Sequence, residues 1–267
     1  MTPLLSRPVV VKIGGSMMDD EEALAGLCAA LAGLHRGSAG PAPEPLVLVH
    51  GGGKDINRHL AWLGEEPVFK DGMRVTGAAA LKVVEMTLSG YVNKKLVGLL
   101  NAGGAAAAGL SGVDGPTFFC EPISPELGQV GRITQVDTGL VSTLLAGGFL
   151  PVVSPISVDR AQAHYNVNAD DAASALAAGL GASKLIFVSD VEGVRGADGA
   201  RLPSLDGPAI EALIRDGVAS GGMIPKLRSC LAALRQGIGQ VEICKWTNRQ
   251  AFAEQVEGRA NTGTIIR

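Results

Sequence analysis

The chain has 267 residues, of which 46% are hydrophobic and 18% charged, and its formal net charge at pH 7 is −3. This length suffices for one large α/β domain or for two fused lobes around a sizeable core. No run of five or more basic residues occurs, so the charge pattern argues against nucleic-acid binding and requires local groups to hold any anionic ligand.

The four cysteines and four histidines are scattered and form no C-x-x-C spacing. We therefore expect neither a structural zinc site nor a disulfide framework, but free buried thiols in a reducing cytosol. The segment before residue 9 has Arg7 as its only charged side chain and no long apolar run, which indicates no signal peptide and a cytoplasmic protein. The uncharged stretch 139–158 contains a glycine pair and two prolines, so it predicts a helix followed by a buried strand, not a membrane span.

In chain order, apolar runs and helical periodicity alternate. Strands are predicted at 9–13, 46–50, 105–110, 150–154, 184–189 and 241–245, with a final edge strand at 264–267. Helices are predicted at 21–35, 54–63, 78–101, 138–146, 169–180 and 224–236, and another begins at 210–215. Hairpins are predicted at 68–75 and 117–136, and a Gly/Pro-rich loop at 37–45.

This alternation predicts an α/β fold with a largely parallel central sheet sandwiched by helices, from which β-hairpins project. A soft boundary near residues 179–183 would divide the chain into lobes 1–180 and 181–267, which share one continuous sheet.

Glycine clusters with adjacent basic residues suggest the chemistry. Lys12 precedes Gly14-Gly15 at the end of the first strand, and His50 precedes Gly51-Gly52-Gly53 at the end of the second. Ligands bind at the carboxyl ends of strands in open α/β sheets, and glycine-rich turns expose N–H groups to anions. Each cluster alone could be a solvated turn, but together they favour a site for more than one phosphate and hence phosphoryl transfer. Neither the P-loop nor the Rossmann glycine pattern occurs.

Four further elements have both a structural and a functional interpretation. Arg74, in the first hairpin, is either an exposed turn residue or a carboxylate ligand. The run 166–170 is either a plain helix cap or part of a site, since it has more polar groups than a cap requires. The run 189–194 is either a polar turn or a loop that contacts a nucleotide. Lys226 begins a helix, where its charge is unfavourable unless an anion is present. His50, His59 and His164 are interpreted as structural or solvent-facing.

In order and spacing, these motifs resemble the amino-acid kinase family over nearly the whole chain, and within it the members that act on N-acetyl-L-glutamate. The resemblance is carried by Lys12-Ile13-Gly14-Gly15, His50-Gly51-Gly52-Gly53, Gly72-Met73-Arg74-Val75-Thr76, Asn93-Lys94, the run 126–131, Asn166-Val167-Asn168-Ala169-Asp170, the run 189–193, Gly222-Met223-Ile224-Pro225-Lys226 and Gly263-Thr264.

The resemblance implies ATP-dependent phosphorylation of the γ-carboxylate of N-acetyl-L-glutamate to N-acetyl-L-glutamyl 5-phosphate, an early step of arginine biosynthesis. Lys12 and Lys226 would stabilise the transferring phosphoryl group, and Asp170 would orient them. The phosphoryl group would also contact Gly14, Gly15 and Gly51, and the substrate would contact Gly52, Gly53, Arg74, Asn166 and Asn168. The nucleotide would contact Ser189, Asp190, Val191, Glu192, Gly193, Val194, Arg195, Val218, Ala219 and Ser220.

The first lobe would thus bind the acylamino acid and the second the nucleotide. Mg²⁺ would enter with ATP, without a metal site built from protein groups. The resemblance also implies a homodimer whose interface includes the helix at 78–101. It implies insensitivity to arginine, because the segment before residue 9 is short and contains two prolines, whereas arginine-inhibited members carry an extra amino-terminal helix.

Two alternatives stay open. A kinase acting on carrier-protein-linked aminoadipate, in lysine biosynthesis, could use the same catalytic residues. A non-catalytic nucleotide or amino-acid sensor on this fold would be expected to lack part of the charged set, which is complete here.

Overall fold

The computed structural model describes residues 7–37 and 45–267. The predicted loop at 37–45, except for its end residues, and the chain before Arg7 lie outside the described residues. The strands are β1 (Val9–Ile13), β2 (Leu46–His50), β3 (Phe69–Lys70), β4 (Met73–Arg74), β5 (Ala107–Ser111), β6 (Phe118–Pro122), β7 (Gly131–Val136), β8 (Leu150–Ser154), β9 (Ile156–Val158), β10 (His164–Asn166), β11 (Lys184–Ser189), β12 (Ser204–Leu205), β13 (Val241–Lys245) and β14 (Thr264–Ile266).

Eight of these strands form one sheet, in the order β12-β14-β13-β11-β1-β2-β8-β5. Six neighbouring strands, from β13 to β5, run parallel, and β14 is antiparallel to β13. The apolar run of β1 is buried on both faces, as a central parallel strand requires. The predicted α/β fold with a largely parallel sheet is confirmed. The prediction of an edge strand at 264–267 is wrong, because the two-residue strand β12 lies outside β14.

The helices are α1 (Glu21–His35), α2 (Gly53–Trp62), α3 (Ala78–Glu85), α4 (Asn93–Ala102), α5 (Gly139–Ala146), α6 (Ala169–Gly179), α7 (Gly207–Arg215), α8 (Met223–Arg235) and α9 (Arg249–Val256). Leu176 of α6 and Leu227 of α8 belong to the core on one face of the sheet. Leu24 of α1, Leu96 of α4 and Phe252 of α9 belong to the core on the other face. Helices therefore cover both faces of the sheet, as predicted.

The long helix predicted at 78–101 is helical throughout but not uniform. A π-helical segment, Met86–Val92, separates α3 from α4. Such π segments often occur at functional sites, and this one packs against α2 through Leu88.

A second sheet, ordered β10-β9-β6-β7, and the β3–β4 hairpin stand apart from the central sheet. Both predicted hairpins are present, since β3 pairs with β4 and β6 with β7 in antiparallel fashion. Two isolated bridges, Thr76 to Gly128 and Val130 to Asn166, connect these projecting segments. The hairpin and the second sheet together form one wall of the cavity described below.

The central sheet crosses the predicted lobe boundary, because β1 is paired with β11 along the whole length of β1. The division into two lobes therefore stays a prediction. The stretch 139–158 consists of α5, which ends at Gly147, followed by β8 and β9. Within the described part of the chain, no helix combines the length and the apolar character needed to cross a lipid bilayer.

Candidate active site

Three charged side chains from distant segments meet at the carboxyl end of the central strands. Asp170 lies between two lysines: its Oδ1 is 2.7 Å from Lys12 Nζ, and its Oδ2 accepts a hydrogen bond from Lys226 Nζ at 2.8 Å. Each of the three side chains is at most 15% exposed. The structure thus brings together the three residues that the sequence suggested as catalytic.

Local structure places each of the three. Lys12 lies near the end of β1, and Asp170 lies in the first turn of α6, where the Asn168 side chain caps the helix by accepting from the backbone N–H of Asp170 at 2.7 Å. Lys226 lies in the first turn of α8, where a cation is unfavourable against the helix dipole. Asp170 offsets that cost.

The charge of this cluster is not balanced. Burial favours the neutral form of Asp170, but the two lysines outweigh it and hold its pKa at about 2. Burial lowers the pKa of Lys12, while Asp170 opposes this effect and Lys226 adds to it. With Asp170 ionised and both lysines protonated, the cluster carries one net positive charge. A buried net charge of this kind favours an anion beside it.

The glycine loops approach the cluster closely. A Cβ on Gly14 would lie 2.5 Å from Lys12 Nζ, and one on Gly52 would lie 2.8 Å from Leu88 Cδ2. Gly15 opens a short 3-10 turn, Gly15–Met18. The N–H of Gly51 donates to the carbonyl of Ile13 at 3.0 Å. That N–H is therefore already engaged within the protein, and the contact of Gly51 with a phosphoryl group stays a prediction.

A cavity of about 390 Å³ lies beside the cluster. All five residues suggested as substrate-binding line it, namely Gly52, Gly53, Arg74, Asn166 and Asn168. Sequence reasoning did not assign several other lining residues to the site, namely Ile56, Phe69, Met73, Leu88, Val130, Arg132, Pro155 and Asp171. The cavity thus combines apolar side chains with convergent polar groups, a combination that small-molecule sites use to bind and orient a ligand.

Arg74 is the principal cation of this cavity. Its Nη2 donates to Asn57 Oδ1 at 2.6 Å and to the carbonyl of Gly53 at 3.1 Å, and the guanidinium stacks over Phe69. Its Nη1 is buried and has no hydrogen-bond partner among the described residues. A buried donor without a partner is costly, so this side chain is arranged to accept an anionic ligand such as a carboxylate.

The two segments suggested as nucleotide-binding lie at a different part of the carboxyl edge of the central sheet. Residues 189–195 follow β11, with Asp190, Glu192 and Arg195 exposed and Gly193 and Val194 buried. Residues 218–220 lead directly into α8, with Ser220 exposed. Neither segment lines the 390 Å³ cavity. Lys12 and Lys226 therefore lie between the loops that line the cavity and the two segments suggested as nucleotide-binding.

A larger cavity of about 740 Å³ borders Ser189, Lys245 and Trp246. It is lined by none of the three clustered charges and none of the glycine loops. Ser189 is the only one of the predicted site residues that lines this larger cavity. We therefore assign the candidate site to the charged cluster and the smaller cavity.

Three polar contacts that support the site were not found from the sequence. Ser229 on α8 donates to Asp171 Oδ1 at 2.6 Å, next to the Lys226–Asp170 pair. His50 Nδ1 lies 3.0 Å from the carbonyl of Gly51, and its Nε2 lies 3.1 Å from Asn93 Nδ2. Burial lowers the pKa of His50 to about 4, so the imidazole is neutral and structural, in line with the sequence interpretation.

Comparison with known proteins gives consistent results. The sequence profile of the amino acid kinase family matches residues 7–245. The acetylglutamate kinase of Chloroflexus aurantiacus is 44% identical over 238 residues, covering 88% of this chain and 90% of the relative. That of Rubrobacter xylanophilus is 43% identical over 261 residues, covering 98% and 97%. A solved Streptococcus mutans UA159 protein superposes with a TM-score of 0.79 at 26% identity, covering 97% of each chain.

Proposed function

The chain belongs to the amino acid kinase family, and on that premise we propose that it transfers the γ-phosphoryl group of ATP to the side-chain carboxylate of N-acetyl-L-glutamate. The product would be N-acetyl-L-glutamyl 5-phosphate, an intermediate of arginine biosynthesis. Relatives that share more than 40% of their residues with this chain over most of its length are acetylglutamate kinases.

One observation carries the proposed chemistry, namely the buried cluster with one net positive charge. A carboxylate is already ionised at neutral pH, so this reaction needs no strong general base. It must instead overcome the repulsion between two anions, which is about 4 kcal/mol for unit charges ~4 Å apart in an effective dielectric of ~20. Positive groups fixed beside the reacting atoms offset that repulsion.

In the proposed step, a γ-carboxylate oxygen attacks the γ-phosphorus of ATP, the bond to the β,γ-bridging oxygen breaks, and ADP leaves. Lys12 and Lys226 stabilise the charge on the phosphoryl oxygens during transfer. Asp170 acts as a positioning residue, since it holds both ammonium groups within 2.8 Å of its oxygens. The backbone N–H groups of Gly14 and Gly15 supply further donors.

The 390 Å³ cavity is proposed to hold the acylamino acid. The unpartnered Nη1 of Arg74 would bind a carboxylate of the substrate that does not react. Asn166 and the glycines of the 51–53 loop would contact the remaining polar groups. The apolar lining from Leu88 and Val130 suits the acyl group and the methylene chain.

ATP is proposed to contact the 189–195 and 218–220 segments, with its γ-phosphate directed to the lysines. In residues 7–37 and 45–267, no three His, Cys, Asp or Glu side chains are grouped so that they could hold a metal ion. We therefore propose that Mg²⁺ enters as MgATP, bound through the phosphates of the nucleotide.

We further propose a cytoplasmic homodimer with an acylamino-acid lobe at 1–180 and a nucleotide lobe at 181–267. Four free buried cysteines fit a reducing compartment. The exposed Trp62, Met86 and Tyr91 near the π-helical segment provide apolar area for an interface that includes the helix at 78–101.

The deciding experiment is coupled ADP release by the purified protein with MgATP, with hydroxylamine trapping of the acyl phosphate. N-Acetyl-L-glutamate, L-glutamate and L-aspartate are compared, and a Lys226→Ala preparation controls for contaminating kinases. Turnover on N-acetyl-L-glutamate alone, lost in the variant, supports the proposal. A protein that binds ADP but turns over none of the three substrates would instead favour a carrier-linked aminoadipate substrate or a sensor.

A further inference from the structure

The chain after β11 folds back on itself as a small hairpin, residues 194–202, which we call the 194–202 hairpin. The N–H of Leu202 donates to the carbonyl of Val194 at 2.8 Å, and Arg195 and Arg201 form an isolated antiparallel bridge. At the tip, Gly196 N–H donates to the carbonyl of Ala200 at 2.9 Å. This hairpin directly continues the candidate nucleotide segment, residues 189–195.

A single buried hydroxyl joins both strands of this hairpin to the central sheet. Thr264 Oγ1 accepts from the N–H of Val194 at 2.9 Å and donates to the carbonyl of Leu202 at 2.6 Å. Thr264 is fully buried in β14 and is paired with Ile243 of β13. A hydroxyl has one proton to donate and two lone pairs to accept with, so both contacts can form at once.

The surrounding backbone is shaped to allow this contact. Gly193 has a φ of +148°, and a Cβ there would lie 2.5 Å from Thr264 Oγ1. A Cβ on Gly263 would lie 2.1 Å from the carbonyl oxygen of Ile243. The Arg201 guanidinium donates to the carbonyl of Gly263. Gly193 thus permits the close approach of the hairpin to Thr264, and Gly263 permits the close approach of the chain beside Thr264 to β13.

We propose that Thr264 is a positioning residue for the nucleotide, an inference that rests on the proposed function of the 189–195 segment. That segment is fixed at one end by β11, where Ser189 pairs with Lys245, and at the other end by the Thr264 hydroxyl on Val194. The residues between them include the exposed Asp190 and Glu192. Without the hydroxyl, Val194 loses its direct bond to the central sheet and is held there only through the hairpin, by the contact of Arg201 with Gly263 and the pairing of β12 with β14. A ligand must then do more of the ordering when it binds.

The test compares three variants. Thr264→Val keeps the β-branched shape that suits a strand but removes the hydroxyl, which leaves a buried N–H and a buried carbonyl unpaired. Thr264→Ser keeps the hydroxyl. Thr117→Val is the matched control, because Thr117 is also fully buried and its hydroxyl donates to the Asp114 carbonyl at 2.7 Å, far along the chain from either nucleotide segment.

For Thr264→Val we expect the KM for ATP and the Kd for ADP, measured by calorimetry, to rise about tenfold. The KM for N-acetyl-L-glutamate should stay within about twofold, and Thr264→Ser should recover most of the nucleotide affinity. Thr117→Val should lower the unfolding temperature without changing either KM. If Thr264→Val does not fold, Thr264→Ala removes the same hydroxyl without adding a methyl group in its place.

An ADP Kd within twofold of wild type in the hydroxyl-free variant would overturn the inference. Equal rises in both KM values would overturn it too, because they would indicate a general structural defect. Wild-type protein that binds ADP but does not turn over N-acetyl-L-glutamate would refute the proposed substrate alone, and the Kd series would still decide the role of Thr264. Wild-type protein that binds no ADP would refute both.

Discussion

Replacing Lys226 by alanine tests the charge argument most directly. The cluster has one negative and two positive side chains, so the substitution removes its whole net charge and leaves a neutral Lys12–Asp170 pair. A unit charge ~4 Å from a developing anion contributes about 4 kcal/mol in an effective dielectric of ~20. Each 1.36 kcal/mol changes the rate about tenfold, and single oxyanion donors are worth about 10²–10³ in kcat. We therefore expect kcat to fall by about 10²–10³.

The variant should remain folded. Asp170 keeps its 2.7 Å contact with Lys12, and alanine is favourable inside a helix such as α8. The KM for N-acetyl-L-glutamate should change little, because Lys226 does not line the cavity proposed for it.

The assay is steady-state ADP release with both substrates varied, together with a thermal unfolding curve. Lys95→Ala is the control, since it also removes one lysine, but from a surface pair with Glu21 on the opposite helix layer. It should leave kcat within about twofold, as expected for a surface ion pair. A Lys226→Ala enzyme that is folded and turns over at a near-normal rate would refute the assignment of the cluster as the catalytic centre.

Three further outcomes are expected. Arg74→Lys should raise the KM for N-acetyl-L-glutamate at least about tenfold, because an ammonium cannot replace a planar two-pronged donor; a KM within twofold of wild type would contradict the substrate role. Ser229→Ala should lower the free energy of unfolding by about 1 kcal/mol and reduce kcat severalfold, since it removes the contact with Asp171 that holds α8 beside α6. An unchanged kcat would show that this contact contributes only to stability. As the pH is raised, activity should begin to fall before pH 10.5 is reached. Burial lowers the pKa of Lys12, so its neutral amine forms at a lower pH than usual. Lys12→Arg should move this alkaline loss of activity to higher pH. A wild-type activity that stays constant up to pH 10.5 would contradict the role of Lys12.

The sequence predicted the central elements of the fold because their signals are strong. β1, β2 and β11 are mostly apolar runs that suit strands buried on both faces. It missed helix α9, and it missed β9, β10 and β12, which have two or three residues each. Such short segments cannot display a periodicity, and long-range pairing defines them. The same reason explains why β14 was taken for the edge strand.

For the site, the sequence indicated which segments matter but not how they meet. Lys12, Asp170 and Lys226 stood out because each lies beside a glycine cluster or a helix start at a strand end. Ser229 carried no such signal, and Thr264 stood out only within the Gly263-Thr264 motif, to which the sequence assigned no role. Each is a single hydroxyl in a regular element, and its role depends on a partner more than 50 residues away in the chain. A buried serine in the middle of an otherwise apolar helix face is the one pattern that could have drawn attention to Ser229.

The role of Asp170 follows from the balance of charges rather than from any single contact. Without a carboxylate between them, two buried ammonium groups would repel each other, and burial would favour the loss of a proton from one of them. A second carboxylate would cancel the positive charge that an anionic reaction needs. One aspartate between two lysines opposes the loss of a proton from Lys12 and leaves one net charge for the phosphoryl group when all three side chains are ionised. The pKa of Asp170 is held at about 2, so its carboxylate stays ionised throughout the neutral pH range. The pH dependence expected of the cluster is therefore the alkaline one predicted above, which follows from the lowered pKa of Lys12.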